Sequence, residues 1–395
     1  MSGGPVVPNI AETTATYGPD WDQELRVWVE DRVRPDSNFW EETQSIPEEI
    51  LDHFGDRGWF GAALPPRWGG LGLNSEGLGR FCAILAGGSV SLLSIFVVHN
   101  MVAQALLRWG DEAQQAEYLP RLASGRLRAA FALTEPGRGS EAANLECSAR
   151  RHQGGFLING EKKWISGAER AGLFLVMATL ENEGLGAFLL PGETKGLTRS
   201  PMKDLLGFRG AGVSELKLAN CAVPAEALIG ASGEGFTFVA SQALDCGRFM
   251  VGWGAVGLME ACLEAAVNYA SERRQFGDPL RKHQLIQALI ADMAVALTAG
   301  RALAEKAARA RDDGSPDSVL LTAGAKYFCS RAALKAAEDA IQIHGANGCG
   351  PEYPLVRYYR DAKICEIIEG SNQMQQLMIA AGAFRRWRRK KRGPQ

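Results

Sequence analysis

The residue in this chain that most suggests chemistry is Glu369, in Ile367–Gln376 (IIEGSNQMQQ), between apolar Ile367/Ile368 and Gly370. A carboxylate left among apolar neighbours is desolvated, so its pKa rises and it becomes a general base near neutral pH. The plainer reading is an exposed acid at the start of the last helix. Four other segments suit a large anionic or heteroaromatic ligand. In Phe131–Leu145 (FALTEPGRGSEAANL), Thr134, Ser140 and the backbone around Gly137 and Gly139 offer O–H and N–H donors at a strand end. A glycine turn between two strands would look the same. In Lys162–Gly167 (KKWISG), Trp164 can stack on a planar ring while Ser166 reaches its polar edge, although a Trp in a β domain is more often core. Glu272–Gly277 (ERRQFG) carries two arginines that either complement a helix C-terminus or hold a pyrophosphate in bidentate geometry. In Gln342–Gly350 (QIHGANGCG), glycines allow close backbone approach after a helix.

Three zones of the chain would position these segments. From about Trp21 to Arg128 the apolar spacing is helical; Ser45 ahead of Pro47, Glu48 and Glu49 reads as an N-cap, and Gly58 as the end of that helix. Helices follow through Leu92–Trp109 and Glu112–Leu122, after a glycine-rich turn at Pro65–Leu73. Between Ala129 and Ala222 the runs Phe156–Ile158, Leu173–Ala178, Ala187–Leu190 and Leu216–Leu218 are β-like, with Asn159-Gly160 and Pro191-Gly192 as turn signals, which predicts an antiparallel β domain. After Gly233-Glu234-Gly235 the helical period returns in Phe236–Arg273, His283–Asp312 and Ser315–His344, long enough for an antiparallel bundle. The fold class is therefore multi-domain α+β: an N-terminal helical domain (1–128), a middle β domain (129–233), a C-terminal helical bundle (234–384) and a basic tail (385–395). That order argues against a βαβ nucleotide fold, and GxGxxG, GxxxxGK[ST] and GxSxG are all missing.

Composition removes several classes of function. The 395 residues are 46% apolar and 22% charged, ample for a sizeable core. A formal charge of −2, from 43 basic and 45 acidic residues, gives nucleic acid no global attraction. Eight scattered cysteines without a CxxC pair read as reduced thiols in a cytoplasmic protein, and five isolated histidines make a metal site unexpected. Met1–Asp20 lacks the basic and apolar regions of a signal peptide. Ser89–Leu107, interrupted by His99, Asn100 and Gln104, reads as too polar and short for a bilayer span, so a soluble protein is expected. Arg385–Arg392 (RRWRRKKR) puts seven positive charges in eight positions; its plain reading is a disordered solvated tail, its sharper one a dock for an acidic carrier protein or another polyanion.

Taken in order, TEPGRGSE, KKWISG, the GFRG…VP stretch (Gly207–Pro224), ERRQFG, QIHGANG and RDAKICEIIEGSNQMQ resemble the motifs of the acyl-CoA dehydrogenase flavoproteins, from about residue 20 to 384. The resemblance implies FAD as cofactor and a four-helix bundle as the C-terminal domain. By motif, Phe131, Leu133, Thr134, Gly139 and Ser140 resemble the stretch along the isoalloxazine ring, with Ser140 also touching substrate. Trp164, Ile165 and Ser166 resemble the stretch closing the flavin's other side. Arg273, Gln275, Phe276, His283 and Gln284, with Gln342, Ile343, Gly345 and Ala346, resemble an FAD-contacting surface reached from a neighbouring subunit. Ser371 and Gln373 resemble the stretch at the FAD phosphates. Asp245 and Arg248 resemble the segment meeting the thioester's carrier arm. Glu369 resembles the catalytic base, with Gly370 beside the substrate. The implied reaction removes an α-proton to Glu369 and passes a β-hydride to flavin N5, giving an enoyl thioester. The implied partners are an acyl-CoA or acyl-carrier-protein substrate, an electron acceptor such as an electron-transfer flavoprotein, and further copies of the chain in a dimer or tetramer. Glu141, Ser166 and Ala346 replace the more usual Asp, Thr and Gly, and Arg138 is bulkier than the usual small residue, placed either to alter access to the flavin or to point into solvent.

Ser89–Gly110 also resembles family members of polyketide antibiotic pathways that oxidise 2-hydroxyacyl groups on a carrier protein. A flavin oxidase or monooxygenase on the same fold is a further alternative. A flavin-free interaction protein would predict loss of Glu369, Arg273 or Trp164, and all three are present.

Overall fold

The computed structural model describes residues 21–392; Met1–Asp20, with the signal-peptide question, and the last three residues of the tail lie outside the described residues. Six helices come first: α1 (Trp21–Trp28), α2 (Ser37–Thr43), α3 (Glu48–Asp56), α4 (Ser75–Gly88), α5 (Val90–Trp109) and α6 (Glu112–Ala123). Their starts are chemically specified. At α6, Asp111 accepts the Gln114 N–H at 2.8 Å while the Gln114 side chain accepts the Asp111 N–H at 2.9 Å, a reciprocal capping box. The expected cap at α3 is not formed. Pro47 takes the N-cap position, and Ser45 Oγ instead accepts from Arg170 Nη2 at 2.9 Å, tying this turn to the β region. Gly58 does end the segment, in the left-handed conformation (φ 68°).

The membrane reading of Ser89–Leu107 also needs correction. By length and composition α5 could cross a bilayer, as could the helices at 235–272 and 284–312. Interior packing of α5 is the difference: 89% of its most apolar window is covered by protein, and its polar interruptions find internal partners, with Asn100 Nδ2 donating to Phe60 O at 3.1 Å and Gln104 Nε2 to Ala63 O at 3.1 Å.

The sheet comprises β1 (Ala129–Ala132), β2 (Ser148–His152), β3 (Gly155–Ile165), β4 (Leu173–Leu180), β5 (Gly184–Pro191), β6 (Leu197–Pro201), β7 (Ser214–Pro224) and β8 (Leu228–Ile229), in the order β6-β7-β3-β2-β4-β5-β8 with β1 also on β4. It is not wholly antiparallel, because β1 and β2 both pair parallel with β4. Side-chain alternation reports which face a residue takes, not the direction of the neighbouring strand. Asn159-Gly160 is a bulge inside β3 rather than a turn. Gly160 has φ 143°, and a Cβ there would stand 2.7 Å from Cys147 Cα, so the glycine serves a close strand approach.

A π-helical turn (Gly235–Ala240) leads into α7 (Ser241–Glu272), then a hairpin of β9 (Arg274–Gln275) and β10 (Asp278–Pro279), α8 (Gln284–Asp312), α9 (Ser318–His344), α10 (Leu355–Cys365) and α11 (Asn372–Arg392). The last helix overturns the disordered-tail reading. Residues 385–392 continue α11, which is already nucleated at Asn372, and Arg386 pairs with Asp317 at 3.2 Å.

One apolar core joins both helical regions to the sheet's inner side, and a second fills the β layer. A polar knot crosses the three regions. Glu41 on α2 accepts the N–H groups of Arg209 (3.0 Å) and Gly210 (3.1 Å), and Asp361 on α10 accepts that of Phe208 (2.9 Å). Burial, reinforced by the charge of Glu41, pushes the Asp361 carboxyl up to about 8. Its contribution to stability is fully present below the ordinary carboxylate pKa and is lost as pH rises through the folded value. Asp361→Asn keeps the acceptor and removes the titration. We expect it to flatten the fall in melting temperature between pH 5 and 9 and to raise stability at pH 9, as followed by circular dichroism; an unchanged pH profile would rule this knot out as the cause.

Candidate active site

Glu369 lies in the bend between α10 and α11, in the left-handed conformation (φ 55°) and followed by Gly370 (φ 84°). An L-residue is rarely held there, and such strain concentrates at working sites. Its Oε2 is buried with no hydrogen-bond partner. Burial raises the Glu369 pKa to about 7, against the opposing charges of Arg248 and Lys326. The carboxylate packs on α7 where a side chain is missing: a Cβ at Gly247 would stand 2.6 Å from Glu369 Cδ. The backbone of the bend is fastened from several sides. Arg248 Nε donates to Glu369 O at 2.9 Å, Gln375 Nε2 to Gly370 O at 2.8 Å, and Lys326 Nζ to the carbonyls of Glu366 and Gly370, both at 3.1 Å. Arg248 thus faces the Glu369 backbone, and Asp245, one turn earlier, pairs with Arg311, whose guanidinium stacks on Phe249 at 4.8 Å. The structure brings Asp245, Arg248, Glu369 and Gly370 together, but both charged side chains already have protein partners.

The segments 131–140 and 164–166 also meet. The Lys163 N–H donates to Thr134 O at 2.9 Å. Phe131, Leu133 and Ile165 point into the cores, so only their backbones can face a ligand, whereas Gly139 and Ser140 are exposed and Thr134 and Ser166 half-buried. Trp164 combines a left-handed backbone (φ 63°) with 53% exposure. A large ring held in a strained conformation yet left in solvent gains nothing for the core, which singles it out as a stacking surface. Arg138 is half-buried and paired, with Glu141 at 2.7 Å and Glu146 at 3.4 Å. Ser371 and Gln373 flank the buried Asn372 at the start of α11.

The remaining predicted residues sit elsewhere. Arg273, Gln275, Phe276 and Gln284 are exposed on or beside the β9–β10 hairpin, where His283 Nε2 lies 3.2 Å from Gln275 O. Phe276 is 97% exposed in a left-handed conformation. Gln342, Gly345 and Ala346 lie exposed at the same end of the bundle, where Tyr269 Oη donates to His344 O at 3.3 Å; Ile343 is core. Along α7 the 25 residues from Arg248 to Arg273 span about 37 Å, so within one chain this group is separate from Glu369.

Family models match nearly all of the described chain: acyl-CoA dehydrogenase N-terminal domain over residues 20–126, middle domain over 130–221 and C-terminal domain over 233–384. The chain belongs to the acyl-CoA dehydrogenase family. It is 35% identical over 371 residues to human mitochondrial short-chain specific acyl-CoA dehydrogenase, covering 93% of this chain and 90% of the relative. Among solved structures, Mycobacterium smegmatis glutaryl-CoA dehydrogenase in complex with FADH2 superposes with a TM-score of 0.87 at 30% identity (92% and 93% covered). FkbI, for biosynthesis of the methoxymalonyl extender unit of a polyketide, gives 0.85 at 32% (92% and 99%). The prolyl acyl carrier protein oxidase AnaB gives 0.86 at 28% (92% and 99%).

As a member of this family the protein is an FAD-dependent oxidoreductase acting on acyl thioesters. The residues present fit that cofactor: an exposed strained Trp164 beside the Thr134–Ser140 segment, exposed Phe276, and open space around Gly139 and Gly345. Sequence reasoning missed Lys326, Gln375, Asn372 and the pair Lys162–Glu135. A signal existed for Lys326, which interrupts the small-residue face Thr322-Ala323…Ala325…Cys329-Ser330…Ala333 of α9; a cation there must have internal partners.

Proposed function

We propose that this acyl-CoA dehydrogenase family protein oxidises its acyl thioester with Glu369 as the base. The observation carrying this reading is the buried, unpartnered Glu369 Oε2, with the carboxyl pKa lifted to about 7 on a strained residue. A carboxylate in that state has no competing partner for the α-proton and is ionised above neutrality. Among the described residues the Glu369 N–H has no acceptor, so it is free to donate to the thioester carbonyl as enolate charge builds there. The acyl group enters against α5 and α7, whose close packing excludes water from the carboxylate. FAD, when bound, supplies the hydride acceptor, and an electron-transfer flavoprotein is the proposed onward acceptor. Thr134, Ser140, Trp164, Ser166, Ser371 and Gln373 hold the cofactor. Trp164→Ala, which removes the stacking surface and leaves the left-handed backbone demand as it is, should weaken FAD binding roughly tenfold with little loss of fold, as read by flavin fluorescence on dilution; unaltered retention would move Trp164 out of the cofactor site.

A second copy of the chain supplies Arg273, Gln275, Phe276, His283, Gln284, Gln342 and Ala346 to that cofactor. The separation of about 37 Å along α7 between the Glu369 end and Arg273 supports this. So does α8, whose most apolar window is only 11% buried and exposes Leu285 (82%) and Val295 (69%).

A second reading takes the acyl group from a carrier protein. The likeness to FkbI and AnaB supports it, together with the exposed cations Arg385, Arg386, Arg388 and Lys391 at the end of α11. Anaerobic bleaching of the bound flavin by acyl-CoA against acyl-carrier-protein thioesters tests both. Bleaching by simple acyl-CoA favours the first, bleaching by carrier-bound acyl groups alone favours the second, and none by either refutes the dehydrogenase reading. Oxygen consumption under turnover would instead mark an oxidase.

A further inference from the structure

We infer that Lys326 is a positioning residue, which holds the bend 366–372 in the one shape that presents the Glu369 carboxylate. The inference rests on the proposal that Glu369 is the base. Lys326 is fully buried in the middle of α9, a helix that contributes none of the residues assigned to substrate or cofactor in its central turns. A buried ammonium has three protons to satisfy. All three have acceptors, and every acceptor belongs to the bend: Glu366 O (3.1 Å), Gly370 O (3.1 Å) and Asn372 Oδ1 (3.0 Å). Asn372 is fixed in turn by Ser330 Oγ, one helical turn after Lys326, at 3.0 Å from its Nδ2. One ammonium therefore bridges the residue three before Glu369, the residue after it and the first residue of α11.

That geometry has a purpose the core does not need. Glu369 and Gly370 are both left-handed, so the peptide units around them cannot join the hydrogen-bond ladder of α10 or α11. Their carbonyls would be buried orphans without an internal donor. Lys326 from α9, Arg248 from α7 and Gln375 from α11 supply those donors, Lys326 alone reaching from residue 370 back to residue 366, which fixes the Glu369 side chain against Gly247. The charged groups acting on the carboxylate are Arg248 on α7 and Lys326 on α9; Asp245 on α7 lies beside Arg248 and Glu366 of the bend beside Lys326, with the Cys246 and Cys365 thiols next to them. Burial lowers the Lys326 pKa to about 8, so the residue is still cationic at neutral pH and its charge favours ionised Glu369.

Two consequences separate positioning from simple structural support. Removing the amine should slow proton abstraction without weakening substrate binding, and removing the charge should make Glu369 harder to ionise. The test compares wild type, Lys326→Met and Lys326→Gln as FAD-loaded proteins by anaerobic stopped-flow from pH 5.5 to 9. The expected result is a flavin-reduction rate at least about tenfold lower at pH 7, an unchanged half-saturating substrate concentration, and an acid limb displaced upward by about one pH unit. A readout independent of turnover is the protonated-carboxyl infrared band that Glu369→Gln abolishes, which should titrate at higher pH in Lys326→Met than in wild type. Lys326→Gln keeps two N–H donors of the three, so its bend should be less displaced while the charge effect persists. Should Lys326→Met not fold, Lys326→Gln alone decides. Variants that lose melting temperature but keep the wild-type rate, limb and infrared titration overturn the inference. If Glu369→Gln itself leaves both rate and infrared band intact, the base assignment fails instead, which is a different result.

Discussion

Glu369→Gln should lower the rate of anaerobic flavin reduction by about a thousandfold or more while leaving flavin content and melting temperature close to wild type. The substitution preserves side-chain shape, so it still fits beside Gly247, and its backbone carbonyl still accepts from Arg248 and Gln375. Only the ability to take a proton is lost. The wild-type rate carries the matching pH signature. With the carboxyl pKa raised by burial to about 7, the reactive species is the ionised form. The rate should be level above that value and fall about tenfold per unit below it, whereas the residual rate of the variant should show no such limb. Stopped-flow bleaching of the flavin absorbance measures both. A variant reducing flavin as fast as wild type would remove Glu369 from the chemistry, whatever its strain and burial.

The largest expected loss of stability comes from Lys162→Met. Lys162 is fully buried and pairs with Glu135 at 2.8 Å, also donating to Leu133 O at 3.0 Å. Glu135 accepts two more bonds, from the N–H groups of Glu146 (2.6 Å) and Cys147 (2.9 Å). Burial by itself would raise the Glu135 pKa, but the lysine and the two amides outweigh it and hold the carboxyl below its ordinary value. Removing the lysine leaves an uncompensated charge inside the protein, at a cost of about 3–5 kcal/mol. Because a depressed carboxyl pKa contributes stability above the unfolded value and loses it as pH falls through the folded one, the deficit of the variant should be greatest at neutral pH and shrink below pH 4. Denaturant unfolding compared at pH 7 and at about pH 3 checks this. Adding Glu135→Gln to Lys162→Met should recover a substantial part of the loss, since the buried charge is then gone. The pair also anchors the loop that carries Thr134 and Ser140, so the single variant should lose flavin along with stability.

Much of this protein is readable from the order of its residues. Helical and strand periods located the zones, because each element reports its buried face through spacing along the chain. The motif residues by themselves suited a large anionic or heteroaromatic ligand and singled out Glu369 as a desolvated carboxylate, and their resemblance to a known family implied FAD. Other features had no local signal. The parallel pairing of β1 and β2 with β4 and the bulge at Asn159-Gly160 depend on neighbours far away in sequence. The same holds for the site. Nothing near Lys326 announces that its amine meets the backbone of residues 366 and 370, and nothing in Asp245-Cys246-Gly247-Arg248 says that the glycine leaves space for a carboxylate 122 residues further on. Residue type determined which groups were able to act as base, stack or anchor. Tertiary packing decided which of them are desolvated, strained or paired, because dielectric surroundings and hydrogen-bond partners are properties of the space around a side chain rather than of its place in the chain.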